Sequence, residues 1–195
     1  MKEVGLPRGF RAGAASAGVK TGVPERLDVG LIVADRPCSA AGMFTTNQVI
    51  AAPCVVTRHH LEHGTLRAIV VNSGNANACT GEQGERDAVA MAGAAAEKVG
   101  CDPYEVAVAS TGVIGVPLPL ERIATAVRAI APTESGYADV AKAIMTTDTR
   151  SKSVGVTAAA GGAEVIVHGI AKGAGMIHPN MATLLAFVLT DAAVP

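Results

Sequence analysis

Tryptophan is absent from these 195 residues, and only two Tyr and three Phe are present, so few side chains are available to stack on bases. Runs of Lys or Arg are missing as well. Sixteen basic against seventeen acidic residues leave a formal charge of −1, and no nucleic-acid partner is expected. No stretch nears the ~18 consecutive apolar residues of a membrane span. The opening MKEVGLPRGFR has no apolar core of the kind a secretory signal needs. The four cysteines, Cys38, Cys54, Cys79 and Cys101, never form a C-x-x-C pair, and reduced thiols in a cytoplasmic protein are the expectation. Repeats and low-complexity linkers are also lacking, so no domain boundary is expected within the chain.

What is there is small and apolar. The apolar fraction is 49%, carried mainly by Ala and Val, and there are 22 glycines, a composition that favours tightly packed elements joined by tight turns. LDVGLIVAD (27–35), AAGMFTT (40–46), PCVVT (53–57) and RAIVV (67–71) read as strands. NSGNANACTG (72–81) reads as a turn, and an Ala-rich helix is expected from about Glu82 to Val99, closed by Gly100. EVAVAS (105–110) predicts a strand running into a turn at TGVIG (111–115). Leu120, Ile123, Val127 and Ile130 have helical spacing, and a further helix is expected over roughly 137–145. Residues 153–171 read as a hairpin turning at Gly161-Gly162, and LLAFVLTD (184–191) as a buried strand. Strands and helices mixed around one core predict an α/β or α+β layered domain.

Three segments carry candidate chemistry. In KGAGMIHPNMATLLAF (172–187), Thr183 stands at the mouth of an apolar strand, eleven residues after Lys172. Cleavage of the Ala182–Thr183 bond would leave Thr183 with a hydroxyl nucleophile and a free α-amine, whose reference pKa of about 7.7–8.0 suits a general base. Thr183 is equally readable as an ordinary strand-starting Thr. AVASTGVIG (107–115) places Thr111 and Gly112 just past a strand, where a hydroxyl and backbone N–H groups suit an oxyanion hole, or where a plain strand-to-helix turn would serve. AIMTTDTR (143–150) holds three Thr, an Asp and an Arg. Hydroxyls beside a charge pair suit an amino acid's carboxylate and amine, and they also suit helix and turn capping.

In that order, STGVIG, IMTTDTR and KGAGMIHPNMATLLAF closely resemble the glutamate N-acetyltransferase/ornithine acetyltransferase family of arginine biosynthesis. LPRGFRAGAASAGVK and VVNSGNANACTG resemble that family's N-terminal part, so the similarity runs from about Leu6 to Asp191. The resemblance implies a precursor that cleaves itself between Ala182 and Thr183, with residues 1–182 as the α chain and 183–195 opening the β chain. It implies Thr183 as the acetyl-carrying nucleophile, Thr111 and Gly112 as the oxyanion pair, and Thr146, Lys172 and Thr183 as substrate-binding positions. The remaining substrate contacts would lie in the β chain. The implied reaction is a ping-pong transfer from N-acetylornithine to glutamate on an α/β sandwich with N-terminal-nucleophile-like architecture, shared between α and β chains that pair into an α2β2 heterotetramer. No cofactor or metal is implied, and acetyl-CoA is a donor for some members only. His178 is assigned no catalytic role.

Two other classes stay open from the residues: an N-terminal-nucleophile amidohydrolase or aminopeptidase, with water as acceptor, and a non-catalytic partner chain. The 195-residue chain by itself is expected to be inactive and, through apolar surface around Leu184 to Leu189, prone to aggregate. His59, His60 and His63 in H-H-L-E-H do not follow the H-E-x-x-H order of a zinc protease and read as a solvated edge. Asn72–Gly81 lacks the G-K-[ST] ending of a phosphate loop and reads as a structural turn lining the site.

Overall fold

The computed structural model describes residues 4–20, 25–174 and 184–194. Its first sheet has the order β1-β2-β3-β4, built from Phe10–Ala15, Val29–Ser39, Thr65–Asn75 and Val106–Val113. β1, β2 and β3 pair antiparallel, whereas β3 and β4 are parallel. A parallel pair needs a crossover, and α2 (Gly81–Val99) supplies it. One face of this sheet and helices α1 (Ala52–His60), α2 and α3 (Leu120–Ala129) enclose a core that includes Val29, Leu31, Val70, Met91, Val106, Ile123 and Val127. The other face, with Ile32 and Val71, packs on α4 (Tyr137–Ala143) and on a second sheet. That sheet is β5 (Lys152–Ala160), β6 (Ala163–Lys172) and β7 (Leu185–Thr190), in that order and antiparallel throughout. β2 is covered on both sides, which explains the unbroken apolar run of its sequence.

α2 follows its pattern. Ala88, Met91, Ala92, Ala95 and Ala96 are buried at the i, i+3, i+4 spacing of one helix face. Leu120 is partly buried, and Ile123, Val127 and Ile130 are buried, with the helix over Leu120–Ala129. Gly161 and Gly162 form the β5–β6 turn, both at positive φ (59° and 79°), a conformation most residues with a Cβ avoid.

Four local expectations are corrected. Residues 40–46 form no strand, and Met43 there is almost wholly exposed. PCVVT lies inside α1, because Pro53 at the first helical turn presets φ and Val56, Thr57 and His60 then fall on the buried face. That face matters for β4, the edge strand next to it. The Thr57 Oγ1 donates to the Val108 carbonyl (2.7 Å) and accepts from the Val108 N–H (2.8 Å). The His60 Nδ1 lies 2.7 Å from the Val106 carbonyl. The histidine segment is therefore a solvated edge only at His59 and His63. Thr57→Val should strand both Val108 groups in the core and lower stability by about 2–4 kcal/mol. An unchanged urea midpoint would refute that reading.

The third correction concerns β3, which continues through Asn75, so NSGN is strand and only the residues after it turn. The fourth concerns β7, which ends the second sheet's order and alternates. Leu185, Phe187 and Leu189 face the core, whereas Leu184 and Val188 are exposed. Val188, at 70% exposure, joins exposed Val154 and Val156 of β5 in that sheet. The apolar surface expected around Leu184 to Leu189 is thus one face of the strand, not all of it.

Candidate active site

The parallel strands β3 and β4 end together at Ser73–Asn75 and Thr111–Val113, the kind of carboxyl-end edge where α/β sheets bind ligands. Thr111 and Gly112 directly precede Val113, the last residue of β4, within the strand and not in a turn after it. Gly112 has φ +139, and a Cβ there would lie 2.3 Å from the Gly74 carbonyl carbon.

Lys172 closes β6 and reaches this edge. Its buried Nζ donates to the Thr146 Oγ1 (2.6 Å) and to the Thr111 Oγ1 (3.2 Å). Three of the residues singled out in the sequence thus meet, from β4, from the loop after α4 and from the end of β6. Gly112 adjoins them. Ala182, Thr183 and His178 lie outside the described residues.

The chemistry of this contact is directional. An ammonium group donates and cannot accept, so both Thr oxygens act as acceptors toward Lys172, and each hydroxyl proton is left to point elsewhere. Burial lowers the Lys172 pKa from its ordinary value, Asp148 opposes that shift and Lys152 adds to it.

Asp148 pairs with Lys152 (2.6 Å), and Arg150 is exposed. The Asp148 carboxylate also accepts from the backbone N–H of Gly173 (2.8 Å) and of Thr146 (3.3 Å). Burial pushes its pKa up, but the Lys152 hydrogen bond, the two amides and the ammonium charge outweigh it and hold the carboxyl at about 2.

A second lysine was missed in the sequence. The Lys20 Nζ donates to the carbonyls of Leu27 (3.3 Å) and Ala143 (3.2 Å), and Ser73 Oγ donates to the same Ala143 carbonyl. This ties the C-terminal end of α4, and so the approach to Thr146, to the end of β3. Burial and the Arg26 charge bring the Lys20 amine down to about 8, against Asp28 and Asp148. Asp28 is buried beneath it and accepts from the N–H groups of Ala17, Val19 and Lys20. The available signal was Asp28 near the head of the otherwise apolar run LDVGLIVA (27–34).

A sequence model described as the ArgJ family matches residues 11–195. The chain belongs to the ArgJ family. It is 55% identical over 193 residues to the arginine biosynthesis bifunctional protein ArgJ of Symbiobacterium thermophilum, covering 98% of this chain and 48% of that protein. The Geobacter sulfurreducens protein of the same name is 52% identical over 189 residues, with 96% and 48% covered. The chain therefore spans about half the length of the curated relatives it matches. Among solved structures, ArgJ from Bacillus halodurans superposes with a TM-score of 0.86 at 42% identity, over 93% of this chain and 96% of that one. Ornithine acetyltransferase from Mycobacterium tuberculosis, crystallised with ornithine, gives 0.76 at 36% identity, over 95% and 98%. The layered α/β architecture expected from the sequence is thus that of the ArgJ structures.

Proposed function

We propose that this chain supplies the N-terminal half of a cytoplasmic ornithine acetyltransferase that divides itself between Ala182 and Thr183. Residues 1–182 form the α chain, and Thr183 opens the β chain. The observation that carries the reading is the Lys172 ammonium held between the Thr111 and Thr146 hydroxyls. Because both oxygens accept from Lys172, the Thr111 proton is free to meet an oxyanion, with Gly112 beside it, and the Thr146 proton is free to meet substrate.

The Thr183 hydroxyl attacks the acetyl carbonyl of N-acetylornithine while its α-amine takes the hydroxyl proton. The tetrahedral oxyanion collapses, the carbon–nitrogen bond breaks, and ornithine leaves with the proton returned by the α-ammonium. The α-amine of glutamate then attacks the acetyl-threonine ester, releasing N-acetylglutamate and restoring the Thr183 hydroxyl. Two easier steps replace one difficult one. No cofactor enters, and acetyl-CoA is a second donor to be assayed beside N-acetylornithine.

Chain lengths support the division. The solved family chains are matched over 96% and 98% of their own length, so they are about as long as this one, whereas the curated relatives are about twice as long. A β chain from the same precursor completes the site, and two such pairs form an α2β2 heterotetramer.

Intact mass tests the reading on the protein expressed together with its C-terminal half, wild type beside Thr183→Ala. Two fragments divided at Ala182–Thr183 in wild type alone, and acetyl transfer from N-acetylornithine to glutamate, are the expected results. An undivided wild type would sink the nucleophile assignment. Hydrolysis of N-acetylornithine without transfer would point to an amidohydrolase instead.

A further inference from the structure

The buried carboxylate of Asp148 touches three separate parts of the chain: the Thr146 amide in its own loop, the Lys152 ammonium at the start of β5, and the Gly173 amide immediately after Lys172. The two amides are the main-chain positions that aim Thr146 and Lys172 at each other. Lys172 itself bonds to hydroxyls, and Asp148 is the carboxylate whose charge favours its protonated form. Other charged groups work the opposite way. Lys152 favours the neutral form of Lys172, and the Lys172 charge in turn lowers the pKa of Lys20.

We propose that Asp148 is the positioning residue of this site, fixing the main chain on both sides of the Thr146–Lys172 contact and keeping Lys172 a charged donor, with Lys152 as its counterweight. The proposal rests on the acetyl-transfer reading only for its kinetic test. The Asp148 charge favours protonated Lys172 and the Lys152 charge opposes it, and the two effects add. Removing the Asp148 charge withdraws support from protonated Lys172, while removing Lys152 takes away a repulsion. Asp148→Asn keeps the shape, so a purely architectural role would survive much of that change. Lys152 is half-exposed, so its loss leaves the core intact.

The sign follows directly. Lys172 works as a donor when protonated, so activity falls as pH rises through its pKa. In Asp148→Asn the alkaline limb of kcat/KM for acetyl transfer should move to lower pH, by about one unit. In Lys152→Met it should move to higher pH. The acid limb, set by the Thr183 α-amine, should stay in place. Opposite displacement of the two alkaline limbs is the expected result. Limbs that coincide with wild type, or that move together, would overturn the proposal. If Asp148→Asn does not fold, Asp148→Glu decides: with the charge kept and the two amide contacts displaced, kcat/KM should fall while the alkaline limb stays near wild type, and an unchanged kcat/KM would overturn the proposal.

A second readout does not depend on catalysis. Titration of ε-carbon-labelled lysines by NMR, with the Lys172 resonance identified by its loss in Lys172→Met and the Lys20 resonance by its loss in Lys20→Met, should show the same opposite displacements at Lys172. Correct NMR displacements in a protein that transfers no acetyl group would overturn the functional reading and leave the Asp148 assignment standing. Transfer with unmoved lysine titrations would do the reverse.

Discussion

Lys172→Met should cut kcat/KM for acetyl transfer by about 10²–10³-fold without lowering the melting temperature of the protein. The size follows from what the ammonium holds. Its two hydrogen bonds, 2.6 Å to Thr146 and 3.2 Å to Thr111, fix where both hydroxyl protons point. Losing one aligned oxyanion donor costs about that factor. Stability should behave differently, because Lys172 is buried and burial disfavours its charged form. A methionine of similar length removes that desolvation cost, and replacing a buried charge by an apolar side chain is often neutral or stabilising. Asp148 keeps Lys152 and two backbone amides as partners. Lys172→Arg should not restore activity, since a planar fork cannot occupy the point between two hydroxyls that a compact ammonium does. Steady-state kinetics with thermal melts decide. Activity within threefold of wild type would remove Lys172 from the site, and parallel losses of activity and stability would make it a structural lysine.

Elements with a strong local period were legible in the sequence. α3 announced itself through the spacing of Leu120, Ile123 and Val127, α2 through its Ala-rich stretch closed by Gly100, and the β5–β6 hairpin through Gly161-Gly162. α1 was not legible. Its Val55 and Val56 are β-formers by propensity, and the helix is settled by what Thr57 and His60 meet on β4, about fifty residues away. β7 was misread for a related reason. A strand of Leu, Ala, Phe and Val reads as buried on both faces, and alternation becomes visible only once one face has a sheet neighbour and a core. The site divides the same way. Thr111 was offered by its own segment and Thr146 and Lys172 by family resemblance, since no local rule brings residues 111 and 172 together. Asp148 was noticed as one of the charges in the right segment, with no partner assigned to it. That it takes Lys152 depends on β5 leaving the loop beside it, a tertiary outcome that the composition of the segment does not encode.

Gly112→Ala should be the most disruptive small substitution at the site, lowering stability by about 3 kcal/mol or more and abolishing both self-division and acetyl transfer. At φ +139 the residue lies where a side chain is strained whatever space surrounds it. Here there is no space either. An added Cβ would stand 2.3 Å from the Gly74 carbonyl carbon and 2.5 Å from the Asn75 nitrogen, both backbone atoms. Relief requires β3 and β4 to part at their carboxyl ends. β3 also carries Ser73, tied to the Ala143 carbonyl, and β4 carries Thr111, so parting them moves one hydroxyl of the Lys172 contact away from the other. Gly115→Ala is the control. Gly115 also has positive φ, at +79, but nothing lies within 4 Å of its added Cβ, so only the conformational cost of about 1 kcal/mol should appear. Denaturant midpoints and intact masses of the two variants, each made with the C-terminal half present, give the comparison. A Gly112→Ala protein that loses no more stability than Gly115→Ala and still divides would show that the β3–β4 end is not closed in the way its strand register implies. The expected gap between the two, in stability and in processing alike, would place the demand for glycine on backbone approach at this edge and not on turn geometry.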